Sequence, residues 1–339
     1  MRKYLLLLPV LLVVACQRNN GPIRLQGEAQ GTYYNIAYYD GQQRDFRPQI
    51  DSLLDDFDQT ASLWVENSLI RRVNRHEDSL LNPLFCDLLK KSQEVSSYTG
   101  GAFNCEIGAL VNLYGFGFKN RSDVSDAEVD SLLACIHHDG QGEGTSVEEV
   151  EGVKRLFLPA GVELDFNAIA QGYSVDMLAK MFDQKGVENY LIDVGGEVIA
   201  RGCKADKSSW TVGIERPAAD KYSSQEVEVA IRLDNQSVVT SGNYRKYYEE
   251  NGVRYSHTID PRTGRPVNHS LLSVSVVSRE AWYADAMATA FMVMGLDKGL
   301  QFIKAHPDNP DIQAVFFIYD DQGEYKTYAT PAFQKLIIE

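Results

Sequence analysis

Residues 164–196 read LDFNAIAQGYSVDMLAKMFDQKGVENYLIDVGG and set a helix directly before a buried strand. The helix is predicted over residues 167–184, and Gly186 marks its end. Its apolar side is formed by Ile169, Tyr173, Leu178 and Phe182. Residues 190–194 are a short apolar run that ends at two glycines, which is typical of a buried strand.

Outward from this stretch, helices and strands are mixed without strict alternation, which indicates the α+β class. Helices are predicted over residues 46–61, 83–98 and 280–294, and strands over residues 31–39, 227–233, 271–277 and 313–319. Ser278 is predicted to be the N-cap of the last helix, and Gly295 its stop. Residues 120–150 are polar and acidic, and we expect a surface excursion there that takes no part in the chemistry.

The first 16 residues have the features of an export signal. Arg2 and Lys3 give a positive start, and the apolar run over residues 5–14 is too short to cross a bilayer. A small residue stands directly before Cys16, so residues 1–16 are predicted to be a lipoprotein signal peptide and Cys16 to be lipidated. The alternative is an ordinary signal peptide with an incidental cysteine. Residues 17–24 are predicted to form a tether, and residues 25–339 the folded body.

The composition limits the function further. The formal net charge of -14 argues against a nucleic-acid partner, because phosphate binding requires a basic face, and it fits an exported body with a cation site. No stretch after the signal is apolar enough for a membrane helix. Four cysteines follow Cys16, and their spacing does not match a zinc site, so buried thiols and a disulfide both remain open. They are Cys86, Cys105, Cys135 and Cys203.

Asp285 and Thr289 form a candidate cation site. They stand four residues apart on a predicted helix and therefore share one face. A carboxylate and a hydroxyl suit Mg2+, which prefers oxygen ligands and keeps positions open for phosphate. The alternative is a solvated helix face, because this pair occurs on many helices.

Two other places carry candidate polar groups. Asp165 stands just before a predicted helix, where it either caps the helix or bonds a ligand near the helix-start amides. The glycines that follow do not form GxGxxG, so a dinucleotide fold of that type is not indicated. His257 precedes the turn Asp260-Pro-Arg-Thr-Gly264, where it is either structural or a general base.

Eight ordered stretches together resemble the ApbE family, the FAD:protein FMN transferases. The resemblance covers about residues 28–305 and implies an α+β fold of mixed sheets with packed helices. The matching pieces are Gly31-Thr32, Ser62 to Asn74, Gly101 to Gly117, Leu164 to Asp176, Val194-Gly195-Gly196, Thr240-Ser241-Gly242, His257 to Gly264, and Ala284 to Thr289.

The resemblance implies roles at particular positions. Mg2+ would be held by Asp285, Thr289 and the backbone carbonyls of Ala168 and Ala288, and His257 falls where a catalytic base is proposed. FAD would be contacted by Gln30, Trp64, Ala102, Phe103, Asn104, Asp165, Gln171 and Ile259. This chain departs from the family where Gln171 replaces the usual Lys, where Asn104-Cys105 replaces a frequent Asp-Pro, and where Gln30 replaces a commoner Met.

The implied reaction is Mg2+-dependent cleavage of FAD, with FMN joined to a Thr or Ser hydroxyl of an acceptor flavoprotein and AMP released. The resemblance also implies that the acceptors are subunits of membrane electron-transfer flavoproteins. With the lipid anchor, the expected location is the cell envelope, facing the periplasm and held by the inner membrane. The alternatives are an FAD pyrophosphatase that yields FMN and AMP, a flavin-binding lipoprotein without chemistry, and a structural exported lipoprotein.

Overall fold

A computed structural model describes residues 21–117, 124–137, 144–217, 226–243, 247–250, 253–256, 258–307, 309, 312 and 314–338. The predictions for the signal peptide, for Cys16, for residues 17–20 of the tether and for His257 lie outside the described residues. The first strand includes Ile23 and Arg24, which the sequence had assigned to the tether. None of the helices described is both long and apolar enough to span a membrane.

The elements are given in chain order. The strands are β1 (Ile23–Ala29), β2 (Thr32–Tyr39), β3 (Ser146–Val150), β4 (Val153–Phe157), β5 (Asn189–Val194), β6 (Glu197–Arg201), β7 (Trp210–Glu215), β8 (Val227–Leu233), β9 (Ser237–Gly242), β10 (Tyr247–Glu250), β11 (Val253–Ser256), β12 (Ile259–Asp260), β13 (Arg265–Pro266), β14 (Leu271–Ser278), β15 (Ala314–Asp321) and β16 (Glu324–Ala329). The helices are α1 (Arg47–Ala61), α2 (Leu69–Asn74), α3 (Pro83–Tyr98), α4 (Gly108–Leu113), α5 (Asp126–His137), α6 (Ala170–Gln184), α7 (Ala281–Ala305) and α8 (Pro331–Gln334).

One eight-stranded sheet organises the molecule. Its order is β1-β2-β5-β6-β9-β14-β15-β16, and every neighbouring pair is antiparallel. Antiparallel strands with helices packed beside them are the arrangement of the α+β class, so that prediction is confirmed.

The two faces of the sheet support two cores. On β2 the buried Tyr34, Ile36 and Tyr38 belong to the main core with residues of α1, α3, α6 and α7, while Ala37 belongs to the second core. This alternation follows the two-residue period of a strand. The hairpin β7–β8 and the helix α8 cover the second face through Trp210, Ile231 and Phe333. A third, smaller cluster lies apart and joins α4, α5 and Ile259.

The predicted helix bounds hold where local signals act. The helix α3 spans the predicted residues 83–98, because the Asn82 side chain accepts from the Phe85 N–H and Pro83 fits the first turn. The helix α6 begins at Ala170, three residues later than predicted, because the backbone at Ile169 is not helical. Strands β2, β5, β8, β14 and β15 lie within a residue or two of their predicted ranges.

Two predictions about α7 needed correction. Ser278 is the last residue of β14 and does not cap the helix, which begins at Ala281. Gly295 does interrupt the helix, with φ of 75°, but the helix resumes and continues to Ala305. The predicted excursion over residues 120–150 contains an element that the sequence analysis did not name, because α5 occupies residues 126–137 as a regular helix.

The four described cysteines are free thiols, so the disulfide alternative finds no support in the structure. Cys105 is buried, and burial raises the pKa of its thiol. Cys86, Cys135 and Cys203 are half-buried.

Candidate functional site

The crossing of α6 and α7 brings the predicted cation ligands into the core. Gly172 on α6 lies so close to α7 that a Cβ built on it would stand 2.4 Å from the Ala281 carbonyl oxygen and 2.8 Å from Asp285 Cβ. Only glycine allows this approach, because such contacts are shorter than any real Cβ makes. The Gly172 N–H donates to Asp285 Oδ2 at 3.0 Å.

The same hydrogen bond leaves a backbone carbonyl available. In a regular α-helix the N–H of residue 172 would bond to the carbonyl of residue 168. Here it goes to Asp285, and the Ala168 carbonyl has no backbone partner in the described part of the chain. Ala168 lies in the turn just before α6 and is half-buried.

Asp285 is a buried carboxylate, 5% exposed. Its pKa is raised to about 7, mainly by burial, while the Gly172 N–H opposes the shift and the charge of Asp176 adds a smaller increase. Among the described residues no Lys, Arg or His forms an ion pair with it. A buried carboxylate without a cationic partner is costly and fits a bound cation.

Thr289 supplies hydroxyl oxygen one helical turn from Asp285. Its Oγ1 lies 3.3 Å from Ser241 Oγ on β9, so the predicted Thr240-Ser241-Gly242 stretch lines the same place. Ala288 is fully buried inside α7, so only its carbonyl can reach a ligand. The described residues contain no cluster of three or more His, Cys, Asp or Glu side chains suited to a metal.

The two glutamines predicted to contact FAD, Gln30 and Gln171, lie at turns of the large sheet. The Gln171 side chain covers the turn between β5 and β6, because its Nε2 would stand 2.4 Å from a Cβ built on Gly195. Gln30 occupies the turn between β1 and β2 with a positive φ of 55°. Its Oε1 accepts from Ser174 Oγ at 3.2 Å, and its Nε2 is buried without a partner among the described residues.

Asp165 joins the second group of predicted residues. Its Oδ1 accepts from the Asn167 N–H at 2.7 Å, and its own N–H donates to the Cys105 carbonyl at 2.7 Å. Burial raises the pKa of Asp165, and the bond from Asn167 partly opposes that shift. Asp165 therefore holds the turn before α6 and does not cap the helix, whose N-cap residue is Ile169.

The segment Ala102-Phe103-Asn104 lies next to Asp165 through the Cys105 bond. Ala102 and Phe103 are buried in the main core, so their side chains are not exposed to a ligand. Asn104 is half-buried, and its Oδ1 accepts from the Glu106 N–H at 2.9 Å.

An open cleft of about 160 Å³ passes along Asp165. Trp64 stands at its side and is 64% exposed. The sequence reading did not single out Asn74, which lines the same cleft and holds both sides of Leu164: it donates to the Leu164 carbonyl and accepts from the Leu164 N–H, each at 2.8 Å. Its place at the end of the Ser62–Asn74 motif was the available signal.

Ile259 is set differently from the other predicted contacts. Its side chain is buried in the third cluster with α4 and α5, so it cannot face a ligand directly. The following turn is held by Asp260, which accepts from Arg262 through the backbone and the guanidinium at 2.8–2.9 Å. Arg262 in turn lies against Gly101, beside the buried Ala102-Phe103 segment.

The fold and the site together define a class of protein. It is an α+β body with a buried carboxylate at a helix crossing, a pair of hydroxyls on α7 and β9, and an open cleft lined by Trp64 and Asp165. This donor set suits a hard cation and an anionic ligand.

Comparison with known proteins narrows the class to one family. The model of the ApbE family matches residues 30–316. An FAD:protein FMN transferase of Vibrio cholerae is 33% identical over 99% of this chain and 99% of its own length, and that of Escherichia coli K12 is 30% identical over 98% and 96%. The apo flavinyl transferase ApbE of Pseudomonas stutzeri superposes with a TM-score of 0.80, at 30% identity over 93% and 96% of the two chains. The chain therefore belongs to the ApbE family.

Proposed function

We propose that this protein is an FAD:protein FMN transferase. The observation that carries the proposal is the buried Asp285 carboxylate, which accepts from the Gly172 N–H, stands one helical turn before Thr289 and has no cationic partner among the described residues. The relatives that match nearly the whole chain carry the same activity in their names. FAD is the substrate, and FMN is transferred to a Thr or Ser hydroxyl of an acceptor flavoprotein.

The residues present fit Mg2+. Asp285 and Thr289 would hold it together with the Ala168 carbonyl, which lacks its helical partner. Ala288 would offer the second lone pair of a helix carbonyl. When bound, Mg2+ supplies charge neutralisation at the pyrophosphate oxygens of FAD.

The remaining chemistry belongs to the chain itself. The acceptor hydroxyl oxygen forms a bond to the FMN-side phosphorus of FAD, the bond from that phosphorus to the AMP oxygen breaks, and AMP leaves. The hydroxyl proton passes to a base, and His257 stays the proposed base. Asp165 and Trp64, which line the cleft, and Gln30 and Gln171, which lie at turns beside α6, bind and orient FAD. Holding the two reactants in line is what most of the rate enhancement requires in such transfers.

The decisive test combines two products in one reaction. The chain from residue 17 onward is incubated with FAD, Mg2+ and an exported acceptor flavoprotein, and covalent flavin fluorescence of the acceptor is read together with free AMP. We expect a fluorescent acceptor that disappears with EDTA and in Asp285→Ala. Asp40→Asn is the matched control, because it removes a buried carboxylate paired with Arg44 outside the α6–α7 crossing.

The other outcomes separate the alternatives. AMP without labelled acceptor, with every plausible acceptor tried, would identify an FAD pyrophosphatase. Bound FAD without either product would identify a flavin-binding protein, and the proposed function would then be wrong.

The proposal includes a lipid anchor at Cys16, with the body at the periplasmic face of the inner membrane and membrane flavoprotein subunits as acceptors. Its support is the sequence of residues 1–16. In cells fed labelled palmitate, we expect label in the wild type and none in Cys16→Ala. Label in neither protein would leave an ordinary signal peptide.

A further inference from the structure

Asp176 makes a contact that the proposed reaction does not use directly. It stands four residues after Gly172 on α6, so both residues lie on the face that meets α7. Gly172 contacts Asp285, and Asp176 contacts the start of the same helix. The two helices therefore meet at two fixed points one turn apart.

The first turn of α7 has no cap of its own. The N-cap residue Glu280 makes no capping bond, and its carboxylate accepts from the indole of Trp282 instead. The two carboxylate oxygens of Asp176 accept from the N–H groups of Ala281 and Trp282, at 3.0 and 2.8 Å. A negative charge at a helix start is favourable, and here it comes from a different helix.

This cap determines where Asp285 stands. Asp285 follows Ala281 by four residues, so it lies one turn above the amide that Asp176 holds. Gly172 lies against the Ala281 carbonyl. If the two helices slid or separated, this close contact would be lost. A ligand carboxylate works only when held within about 0.5 Å of its productive position.

We propose that Asp176 is a positioning residue, which holds the first turn of α7 so that the Asp285 carboxylate faces the Ala168 carbonyl and Thr289. The inference rests on the proposed function for the identity of the site. Arg201 and Glu280 are the other charged groups that act on Asp176, with opposite effects. Arg201 donates to the Arg279 carbonyl and Glu280 accepts from the Trp282 indole, so neither side chain holds the first two amides of α7 in the place of Asp176.

The test measures metal binding apart from turnover. Mn2+ affinity of the full-length protein with FAD present is measured by electron paramagnetic resonance for wild type and Asp176→Asn. Asn can accept from only one of the two amides, so we expect Mn2+ to bind about 10- to 100-fold more weakly, the usual effect of removing a group that orients a metal ligand. FAD binding in EDTA should change less than twofold.

A matched control separates positioning from stability. The hydroxyl oxygen of Thr330 caps α8, because it accepts from the Phe333 and Val315 N–H groups. Thr330→Ala removes this cap at a place distant in sequence from the α6–α7 crossing. It should lower the melting temperature as Asp176→Asn does, yet leave Mn2+ affinity unchanged. Amide exchange should show faster exchange at Ala281 and Trp282 only in Asp176→Asn.

Each outcome decides the inference. Wild-type Mn2+ affinity in a folded Asp176→Asn protein would overturn it. Should that variant not fold, Asp176→Glu, which keeps the charge but moves the carboxylate by one methylene, should bind Mn2+ several-fold more weakly, and wild-type affinity there would overturn it equally. A wild-type protein that binds Mn2+ but transfers no FMN to any acceptor would refute the proposed function, and weaker Mn2+ binding in Asp176→Asn would still support the positioning role.

Discussion

The α6–α7 crossing and the loop over residues 258–265 are both predicted from the sequence to serve the reaction, and they are held in place by different means. The crossing is buried in the main core and is fixed by backbone contacts at Gly172 and by the Asp176 cap. The loop rests on a small separate cluster with α4 and α5, and an exposed ion pair between Arg265 and Asp126 ties its end. The groups proposed to hold the cation thus stand in the main core, the rigid half of this comparison. The loop stands on a lighter support, the small cluster whose helix α4 lines the cleft through Val111 and Asn112.

Gly172→Ala tests the rigidity of the α6–α7 crossing, and it should have the largest effect of the variants considered. The added methyl would overlap the Ala281 carbonyl, so we expect a loss of about 3 kcal/mol in the free energy of unfolding together with loss of FMN transfer. Urea unfolding measures the first and acceptor fluorescence the second. Gly299→Ala on α7 is the control, because its nearest neighbours stand 3.3 Å or more away and helix propensity favours Ala. Equal stability of the two variants would show that the crossing is looser than described.

The second test concerns the lighter support. Val129 on α5 is buried against Gly264, so Val129→Ala should cost about 2 kcal/mol and raise KM for FAD several-fold with little change in kcat. Val238→Ala removes the same atoms from the second core and should lower stability without moving KM. If KM moved equally in both, α5 would have no special relation to the cleft.

Sequence could find α3 and the Asp285–Thr289 face, because both depend on neighbours within one turn. It could also have found α5, since Val129, Leu132, Leu133 and Ile136 keep helical spacing, but the acidic and Gly-rich surroundings dominated the reading. The roles of Asp176 and Gly172 could not be found, because each depends on a helix more than a hundred residues further along. The Ser278 cap failed for the same reason: an acceptor from α6 took the amides that a local side chain was expected to hold.

A third test measures how stability depends on pH through His269, which bonds to α7. His269 donates from Nε2 to the Met292 carbonyl at 2.8 Å near the break in α7, and burial lowers the pKa of its ring. Because the ring is buried in its neutral form, its pKa is lower in the folded state than in the unfolded state. The contribution of the neutral ring to the free energy of unfolding is therefore fully present above the ordinary histidine pKa of about 6.5, and it is lost as pH falls through the folded value. Urea midpoints should therefore fall more steeply with acid in wild type than in His269→Gln. Parallel curves would assign the acid sensitivity to other groups.

The smallest effect on stability and on KM is expected for the surface ion pair between Arg265 and Asp126. Arg265 and Asp126 have side chains that are 52% and 79% exposed, so their pair should be worth no more than about 0.5 kcal/mol. Arg265→Ala should leave KM for FAD within twofold of wild type, as measured by initial rates. A large rise in KM would mean that the ion pair, and not the apolar cluster, holds the loop.

The pairing of β2 with β5 has a consequence for how the chain folds. Tyr34 lies opposite Val194, so the hairpin made by the first two strands gains its inner neighbour only after more than half of the protein has been made. The other edge of the sheet is completed by the last two strands. Partners so distant along the chain make folding slow, because loop closure costs entropy before the contacts form. A ribosome-bound fragment that stops before residue 189 should therefore remain a substrate for chaperones that recognise unpaired strand edges.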